Sequence, residues 1–333
     1  MQSLTATLTR FRYRLAEFSE VVALISFLAV FLFFAVAADH FLTSFSIANI
    51  LTFASITGIV TVGVAMLMIS GEFDMSVGSI FAVASYVFVL TLNAGVGPIP
   101  AMLLALLASA VLGLINGLIV TGTGIPSFMT TLGTMLAYRG IARALGSGLM
   151  VCYKEEKLAL FDVLNGPINA INQLSDPPSN FRVSILWFIV IAIVISLVLM
   201  RTRYGNWVFA TGGNPGAALA QGVAVKRVKV INFVLTGLLA GTASVMQFAH
   251  RLSVDPLRGK GMELIAVAAC AIGGVRLTGG YGTILGACVG MLLLQMLEQG
   301  LVLMHVPVQI FQAVAGLILI VAVISNTYLG GRD

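Results

Sequence analysis

The feature that most constrains this chain is a series of apolar runs, each close to 20 residues long, that recur along its length of 333 residues. A run of this length spans the hydrocarbon core of a bilayer when it forms an α-helix. Only 9% of the residues are charged, whereas soluble globular domains carry about a quarter. The sequence therefore predicts an all-α integral membrane protein. The net charge of +5 fits basic loops at a membrane surface better than a nucleic-acid-binding face.

The runs predict a single transmembrane domain, residues 1–333, with about ten membrane-spanning or re-entrant helices. These segments lie near residues 21–38, 47–69, 76–93, 98–120, 126–146, 184–200, 230–250, 262–275, 281–300 and 308–325. Polar stretches at 147–182 and 201–229 interrupt the series. Neither is long enough to fold as a separate domain.

Basic residues predict the orientation of the chain, because Lys and Arg concentrate in cytoplasmic loops. Arg10, Arg12 and Arg14 precede the first run, and a second basic cluster falls at 201–229, after six segments. Both places are expected on the cytoplasmic side, so an even number of segments leaves both termini there. The first run, 21–38, exceeds the usual apolar region of a signal peptide and is expected to be retained as a helix.

Related motifs predict an internal repeat. The run that begins NGLIV at Asn116 resembles the run that begins QGLVL at Gln299, a spacing of 183, and ITGIV and LTGLL lie 179 residues apart. The copies would occupy about 47–146 and 230–325. Five segments separate corresponding positions, and an odd displacement inverts the second copy. Inverted repeats are typical of transporters, whose substrate path lies between the two halves.

Two acidic residues stand between apolar flanks in SGEFDMSVGS, residues 70–79. An ionised carboxylate at the bilayer centre costs roughly 2.5–3.5 kcal/mol on insertion scales. One interpretation places Glu72 and Asp74 on a water-filled path, where carboxylates accept hydrogen bonds from sugar hydroxyls. The other places them in a turn, with Asp74 or Ser76 capping the next helix. The sequence leaves both open.

Close helix packing is predicted at three small-residue motifs, since GxxxG spacing lets helix backbones approach in lipid. The pairs are Gly113/Gly117, Gly237/Gly241 and Gly286/Gly290.

Enzymatic chemistry has little support in the sequence. The pattern GxxxxGK[ST] of phosphate-binding loops is absent, so this chain is not expected to hydrolyse ATP. His40, His250 and His305 are scattered without a second ligand at metal spacing, and no metal site is predicted.

The polar stretch 201–229 contains GGNPGAALAQG, which predicts a short helix. Asn214 suits the N-cap, Pro215 the first helical position and Gly222 the end. Such a helix could bind a partner, or the stretch could be a simple connecting loop.

Five motifs together carry a family resemblance: GEFDMSVGS, IPSFMTTLGTMLAYRG, YGNWVFATGGNPGAALAQGVAV, LTGLLAGTAS and IGGVRLTGGYGT. In this order, from about Ile47 to Ile324, they resemble the permease subunit of bacterial ABC importers of the ribose type, which take up monosaccharides. The resemblance departs at Glu72, an additional acidic residue where many relatives have none.

The resemblance implies a location in the bacterial cytoplasmic (inner) membrane and a set of partners. Two permease chains, identical or different, form the pore, separate ATPase chains bind ATP-Mg, and an extracytoplasmic protein delivers the sugar. This chain would itself hold no cofactor and no catalytic residue. The resemblance assigns coupling to the ATPase to Gly213, Asn214, Ala217, Ala218 and Gly222.

The function expected from these observations is alternating access for a sugar or sugar-like solute. The candidate residues of the translocation path are Asp74, Ser76, Asn116, Ser127, Phe128, Thr130, Gln247 and Glu263. The alternative is an ion-coupled secondary sugar transporter that works without an ATPase. In that case Asp74, Glu263 or Glu298 would bind the coupling ion. The stretch GGNPGAALAQG distinguishes the two, because a carrier that works alone does not need it.

Overall fold

The computed structural model describes residues 19–176, 178–307, 310–311, 313–317 and 320. The helices in this part of the chain are α1 Ser19–Ala37, α2 Ser44–Ile69, α3 Val77–Asn93, α4 Pro98–Thr123, α5 Ser127–Leu145, α6 Ala159–Asn165, α7 Asn169–Asn172, α8 Val183–Arg201, α9 Arg203–Gly213, α10 Pro215–Ala220, α11 Val225–Arg251, α12 Met262–Ile272 and α13 Ile284–Leu303. The strands β1, Val151–Cys152, and β2, Ser253–Val254, form one antiparallel pair.

The predicted all-α membrane protein is confirmed. Each predicted segment from 21–38 to 281–300 coincides with a helix, whereas 308–325 lies largely outside the described residues, as do Arg10, Arg12 and Arg14. Among the described helices, α2, α4, α8, α11 and α13 are long and apolar enough to cross a membrane. The helix α5 is less apolar because it carries threonines, glycines and two arginines.

The centre of the bundle is formed by α2, α3 and α11. The helix α2 is buried along most of its length between α11, α13, α8 and α12, and α3 is buried between α4, α11 and α5. By contrast, α4 and α8 expose broad apolar faces, as expected of helices at the lipid boundary.

Glycines bring the helix backbones together, as the GxxxG motifs predict. A Cβ on Gly113 of α4 would clash with the backbone of α11, and a Cβ on Gly237 of α11 would clash with α4. On α13, a Cβ on Gly286 or Gly290 would clash with the backbone of α12 or the turn that follows it. These contacts confirm the packing role of the three motifs.

Two interruptions of the helical core matter for the site. The first broken segment, residues 70–76, joins α2 to α3, and the second, residues 252–261, joins α11 to α12. Both contain glycines with positive φ, at Gly71, Gly259 and Gly261. Non-helical backbone at membrane depth is tolerated where protein covers it, and the first broken segment is mostly buried. The second is largely half-buried, and its Leu257 and Lys260 are exposed.

Candidate functional site

A cluster of four polar side chains surrounds the first broken segment. Asp74 is fully buried, and its Oδ1 accepts hydrogen bonds from the backbone N–H (2.8 Å) and the hydroxyl (2.7 Å) of Ser76. Asn116 of α4 donates from Nδ2 to Ser76 Oγ at 2.8 Å and lies 3.4 Å from both carboxylate oxygens. Tyr138 of α5 donates to Asn116 Oδ1 at 3.1 Å. Three sequence-predicted path residues therefore meet, together with a tyrosine that was not singled out.

The two interpretations of SGEFDMSVGS prove compatible. Asp74 binds the N–H of Ser76 immediately before α3, so it orders the turn that starts this helix. Ser76, the N-cap residue, makes no side-chain capping bond itself. The same carboxylate is also the centre of a buried polar network. A turn and a polar site thus coincide at Asp74.

The beginning of α5 satisfies the backbone of the first broken segment. Ser127 Oγ accepts from the N–H of Phe73 at 3.0 Å, and Thr131 Oγ1 accepts from the N–H of Met75, also at 3.0 Å. Buried N–H groups without partners would be costly, so these hydroxyls stabilise the interrupted backbone. Ser127 therefore lies beside the cluster and supports it. Thr131, which has the same role, was not predicted.

The predicted residues Phe128 and Thr130 lie on the same helix but do not join the cluster. Phe128 is half exposed on the outer face of α5. The hydroxyl of Thr130 is buried and has no hydrogen-bond partner among the described residues.

The second broken segment is held by an arginine that sequence reasoning missed. Arg139 lies about 18 Å along α5 from Ser127, at a rise of ~1.5 Å per residue. Its Nη1 donates to the carbonyls of Pro256 (3.3 Å) and Arg258 (2.7 Å). Arg258 in turn forms an ion pair with Asp255 at 3.0 Å and lies 3.4 Å from Oε1 of Gln247. Gln247 is therefore engaged at the second broken segment, away from Asp74. The only sequence signal for Arg139 was a cation within a predicted span.

The start of α3, which directly follows the first broken segment, touches the second broken segment through a pair of glycines. A Cβ on Gly78, at the start of α3, would clash with the carbonyl oxygen of Gly259 and with a carboxylate oxygen of Glu263. Oε1 of Glu263 accepts from the N–H of Gly261 at 3.1 Å. Its Oε2 is buried and has no hydrogen-bond partner in the part of the chain that the structure describes. Glu263 thus places an unsatisfied carboxylate oxygen where the start of α3 meets the second broken segment.

Glu72 forms an ion pair that bridges distant parts of the sequence. Its Oε1 binds Nζ of Lys229, on the second turn of α11, and both side chains are largely buried. Lys229 was predicted only as a member of a basic loop. The additional acid of the SGEFDMSVGS stretch therefore has a fixed partner inside the chain.

The short helix predicted in GGNPGAALAQG is present as α10. Asn214 Oδ1 accepts from the N–H of Ala217 at 3.0 Å, Pro215 is the first helical residue, and Gly222 has φ +83 after the end. Ala218 packs inwards, whereas Leu219 is 66% exposed. The predicted local structure is confirmed in each detail, and the coupling role assigned to this helix stays a prediction.

Comparisons with known proteins extend over most of the chain. It is 34% identical to the L-arabinose ABC transporter permease protein AraH of Azospirillum brasilense over 304 residues, which is 91% of this chain and 86% of that protein. It is 31% identical to the autoinducer 2 import system permease protein LsrC of Photorhabdus luminescens over 307 residues, with 92% and 88% covered. No solved structure matches significantly.

The family comparison agrees with these relatives. Residues 46–323 match the model of the branched-chain amino acid transport system / permease component family. This range includes both broken segments, Asn116, Tyr138 and α10. The match and the two relatives describe transport subunits rather than enzymes. The chain belongs to this family of ABC importer permeases.

Proposed function

We propose that this chain forms part of the path by which an ABC importer moves a sugar or sugar-like solute across the inner membrane by alternating access. The observation that most directly supports this proposal is the buried cluster of Asp74, Ser76, Asn116 and Tyr138 beside the first broken segment. In transporters, substrate sites commonly lie at such interruptions near the bilayer midplane. The cluster offers carboxylate, hydroxyl and amide groups, which can exchange hydrogen bonds with solute hydroxyls.

A hydroxylated solute suits this site better than an amino acid, although the family description names branched-chain amino acids. A zwitterion needs a free cation as well as an anion. Arg139 of α5 and Arg258 of the second broken segment already bind carbonyl oxygens, Asp255 and Gln247, and Lys260 of that segment is exposed at the surface. The similar proteins are named for L-arabinose and autoinducer 2, and we propose that this chain also transports a sugar or sugar-like solute.

Helix packing supports the proposed inverted repeat. If α2, α3 and α4 correspond to α11, α12 and α13, each packing contact has a counterpart. The helix α4 packs on α11 as α13 packs on α2, and α3 packs on α11 as α12 packs on α2. The hydroxyl of Thr61 contacts the sulfur of Met291 at 3.4 Å. At the repeat spacing of 179 residues Thr61 corresponds to position 240, and at the spacing of 183 Met291 corresponds to position 108. These positions are next to Gly241 and Ser109, which are also in contact.

The proposed partners occupy opposite ends of the bundle. An ATPase chain docks on α10, whose loop is flanked by Arg201, Arg203, Lys226 and Arg227 and is therefore cytoplasmic, as are both termini. A solute-binding protein docks at the other end, partly on 147–182. A second permease chain, identical or different, completes the pore.

Two observations weigh against the ion-coupled alternative. The similar proteins are import-system and ABC transporter permeases, and a carrier that works alone does not need the exposed helix α10. The function is tested by purifying the tagged chain from native membranes in mild detergent. We expect a stoichiometric ATPase that is lost when residues 214–222 are replaced by a flexible linker. A lone protein that carries sugar only under an ion gradient would contradict the proposal.

The proposed path is tested by Asp74→Asn in vesicles that contain the purified complex. The amide keeps an oxygen that can accept from Ser76, so assembly should persist while the negative charge is lost. We expect uptake to fall about tenfold or more, as for loss of a hydrogen bond to a charged group. Wild-type uptake by a variant of normal assembly would remove Asp74 from the path.

A further inference from the structure

The ion pair between Glu72 and Lys229 joins two elements that the proposed mechanism must connect. Glu72 lies two residues before Asp74 in the first broken segment. Lys229 lies on α11, and only four residues separate the end of α10 from the start of α11. Both side chains are largely shielded, with 10% of Glu72 and 20% of Lys229 exposed. A displacement of α10 that carries the first turns of α11 with it therefore pulls directly on the segment that orders Asp74.

Glycines also allow close backbone contacts around the first broken segment, on its side toward α9. A Cβ on Gly212, at the end of α9, would clash with the carbonyl of Ile69, the last residue of α2. The N–H of Gly280 donates to this same carbonyl at 2.8 Å. A Cβ on Gly279 would lie only 2.8 Å from the Cα of Gly71. Backbone thus touches backbone between α9, the first broken segment and the turn after α12.

A third contact ties α9 to α11. The hydroxyl of Tyr204 donates to Asn232 Oδ1 at 2.7 Å, and Asn232 Nδ2 donates to the carbonyl of Met66 at 3.3 Å. The helices α2, α9 and α11 are thereby held as one unit next to α10.

We propose that the Glu72–Lys229 ion pair transmits the movement of α10 to the Asp74 cluster, so that both are positioning residues for coupling ATP hydrolysis to transport. The inference rests on the proposed function, in which α10 receives the movement of the ATPase. The close glycine contacts hold α9 against the first broken segment, so that the two move together about this point. The ion pair connects the start of α11 to the part of this segment that leads to Asp74.

Two other roles for Glu72 fit the structure less well. Direct contact with an ATPase requires an exposed side chain, and Glu72 is buried. A solute ligand requires free acceptor capacity, and the ammonium of Lys229 already engages this carboxylate. A purely structural ion pair is the remaining alternative. Largely buried pairs often contribute little net stability compared with apolar side chains of similar size, so stability and coupling can be separated by experiment.

The experiment uses the purified complex of permease, ATPase and solute-binding protein in vesicles. Uptake and ATP hydrolysis are measured in the same samples, together with the melting temperature and the amount of co-purified ATPase. The variants are Glu72→Gln, Lys229→Gln, the charge exchange Glu72→Lys/Lys229→Glu, and the apolar pair Glu72→Met/Lys229→Met. Asp39→Asn, which removes an exposed carboxylate in the turn between α1 and α2, is the control.

We expect each single variant to keep its ATPase but to lower the number of solutes moved per ATP about tenfold. The charge exchange should restore most of this ratio. The apolar pair should keep the melting temperature of the wild type while remaining uncoupled, a result that a structural role does not produce. Asp39→Asn should match the wild type.

Three results would overturn the inference: a wild-type ratio in Glu72→Gln, no recovery in a well-assembled charge exchange, or full coupling in the apolar pair. These outcomes differ from failure of the proposed function. If the unmodified chain binds no ATPase, or its uptake does not depend on ATP, the proposed function fails before any variant is compared.

Discussion

The Cα of Gly78 packs directly against the carbonyl oxygen of Gly259, so the start of α3 and the second broken segment meet with no side chain between them. The contact lies four residues from Asp74 on one side and four residues from Glu263 on the other. Substrate paths in inverted-repeat transporters run between the halves, and their closed state needs a place where the halves touch. If the proposed repeat is correct, Gly78 and Gly259 belong to different halves, and we expect this glycine pair to provide the closure.

We expect Gly78→Ala to force the start of α3 and the second broken segment apart. The added methyl would meet both the Gly259 carbonyl and Glu263, and overpacking of this kind costs about 1–3 kcal/mol. Uptake should fall at least about tenfold, while the chain still assembles. Solute leak without ATP should rise, because the closure is displaced. Gly122→Ala, in open space near the end of α4, is the control for both assays. Normal uptake and no leak in Gly78→Ala would contradict a closure at this contact.

Tyr138→Phe tests whether the polar cluster acts as one network. The change removes the donor to Asn116 Oδ1 and to the carbonyl of Leu112, each at 3.1 Å. A typical hydrogen bond contributes about 0.5–1.5 kcal/mol, so a modest loss of thermal stability is expected. Uptake should also fall, since the amide of Asn116 is no longer oriented.

The same network predicts non-additive effects. The double variant Asn116→Ala/Tyr138→Phe should transport about as well as Asn116→Ala alone, because the two side chains act on the same bond. The check is a double-mutant cycle on initial uptake rates. Simple addition of the two single effects would show that Tyr138 acts elsewhere.

Leu219, the large exposed apolar side chain of α10, is expected to contact the ATPase. Leu219→Asp should abolish co-purification of the ATPase, since a charge would be buried in the interface. Leu219→Met, which keeps the apolar surface, should retain it. Asn214→Ala should have an intermediate effect through the loss of an N-cap worth about 1 kcal/mol. If Leu219→Asp binds the ATPase as well as the wild type, the interface lies on another surface.

Neighbouring glycines at the end of α9 should respond differently to alanine. At Gly212 a Cβ would clash with the Ile69 carbonyl, whereas at Gly213 its nearest contact is the Cα of Gly280 at an ordinary 3.8 Å. Gly212→Ala is therefore expected to lower the melting temperature of the purified chain by several degrees, and Gly213→Ala to leave it nearly unchanged. Equal melting temperatures for the two variants would show that α9 can move away from α2 without cost.

Local features of the sequence predicted much of this protein. The lengths of the apolar runs placed the helices because a bilayer requires about 20 apolar residues for a crossing. Asn214, Pro215 and Gly222 specified α10, since N-capping, a fixed φ and access to positive φ act within a few neighbouring residues. The GxxxG motifs predicted close packing in the same way. Each of these signals depends on a short stretch of chain and the solvent around it.

Only the tertiary structure decided which polar groups meet. Glu72 and Lys229 are 157 residues apart, and Arg139 reaches a carbonyl 119 residues further along the chain. No local pattern encodes these pairs, because they depend on how α2, α5 and α11 pack and on where the backbone is interrupted. Burial then makes the pairing selective, since a charge or N–H enclosed by protein must find its partner within the fold. The sequence determined the helices and α10, and packing assembled the site.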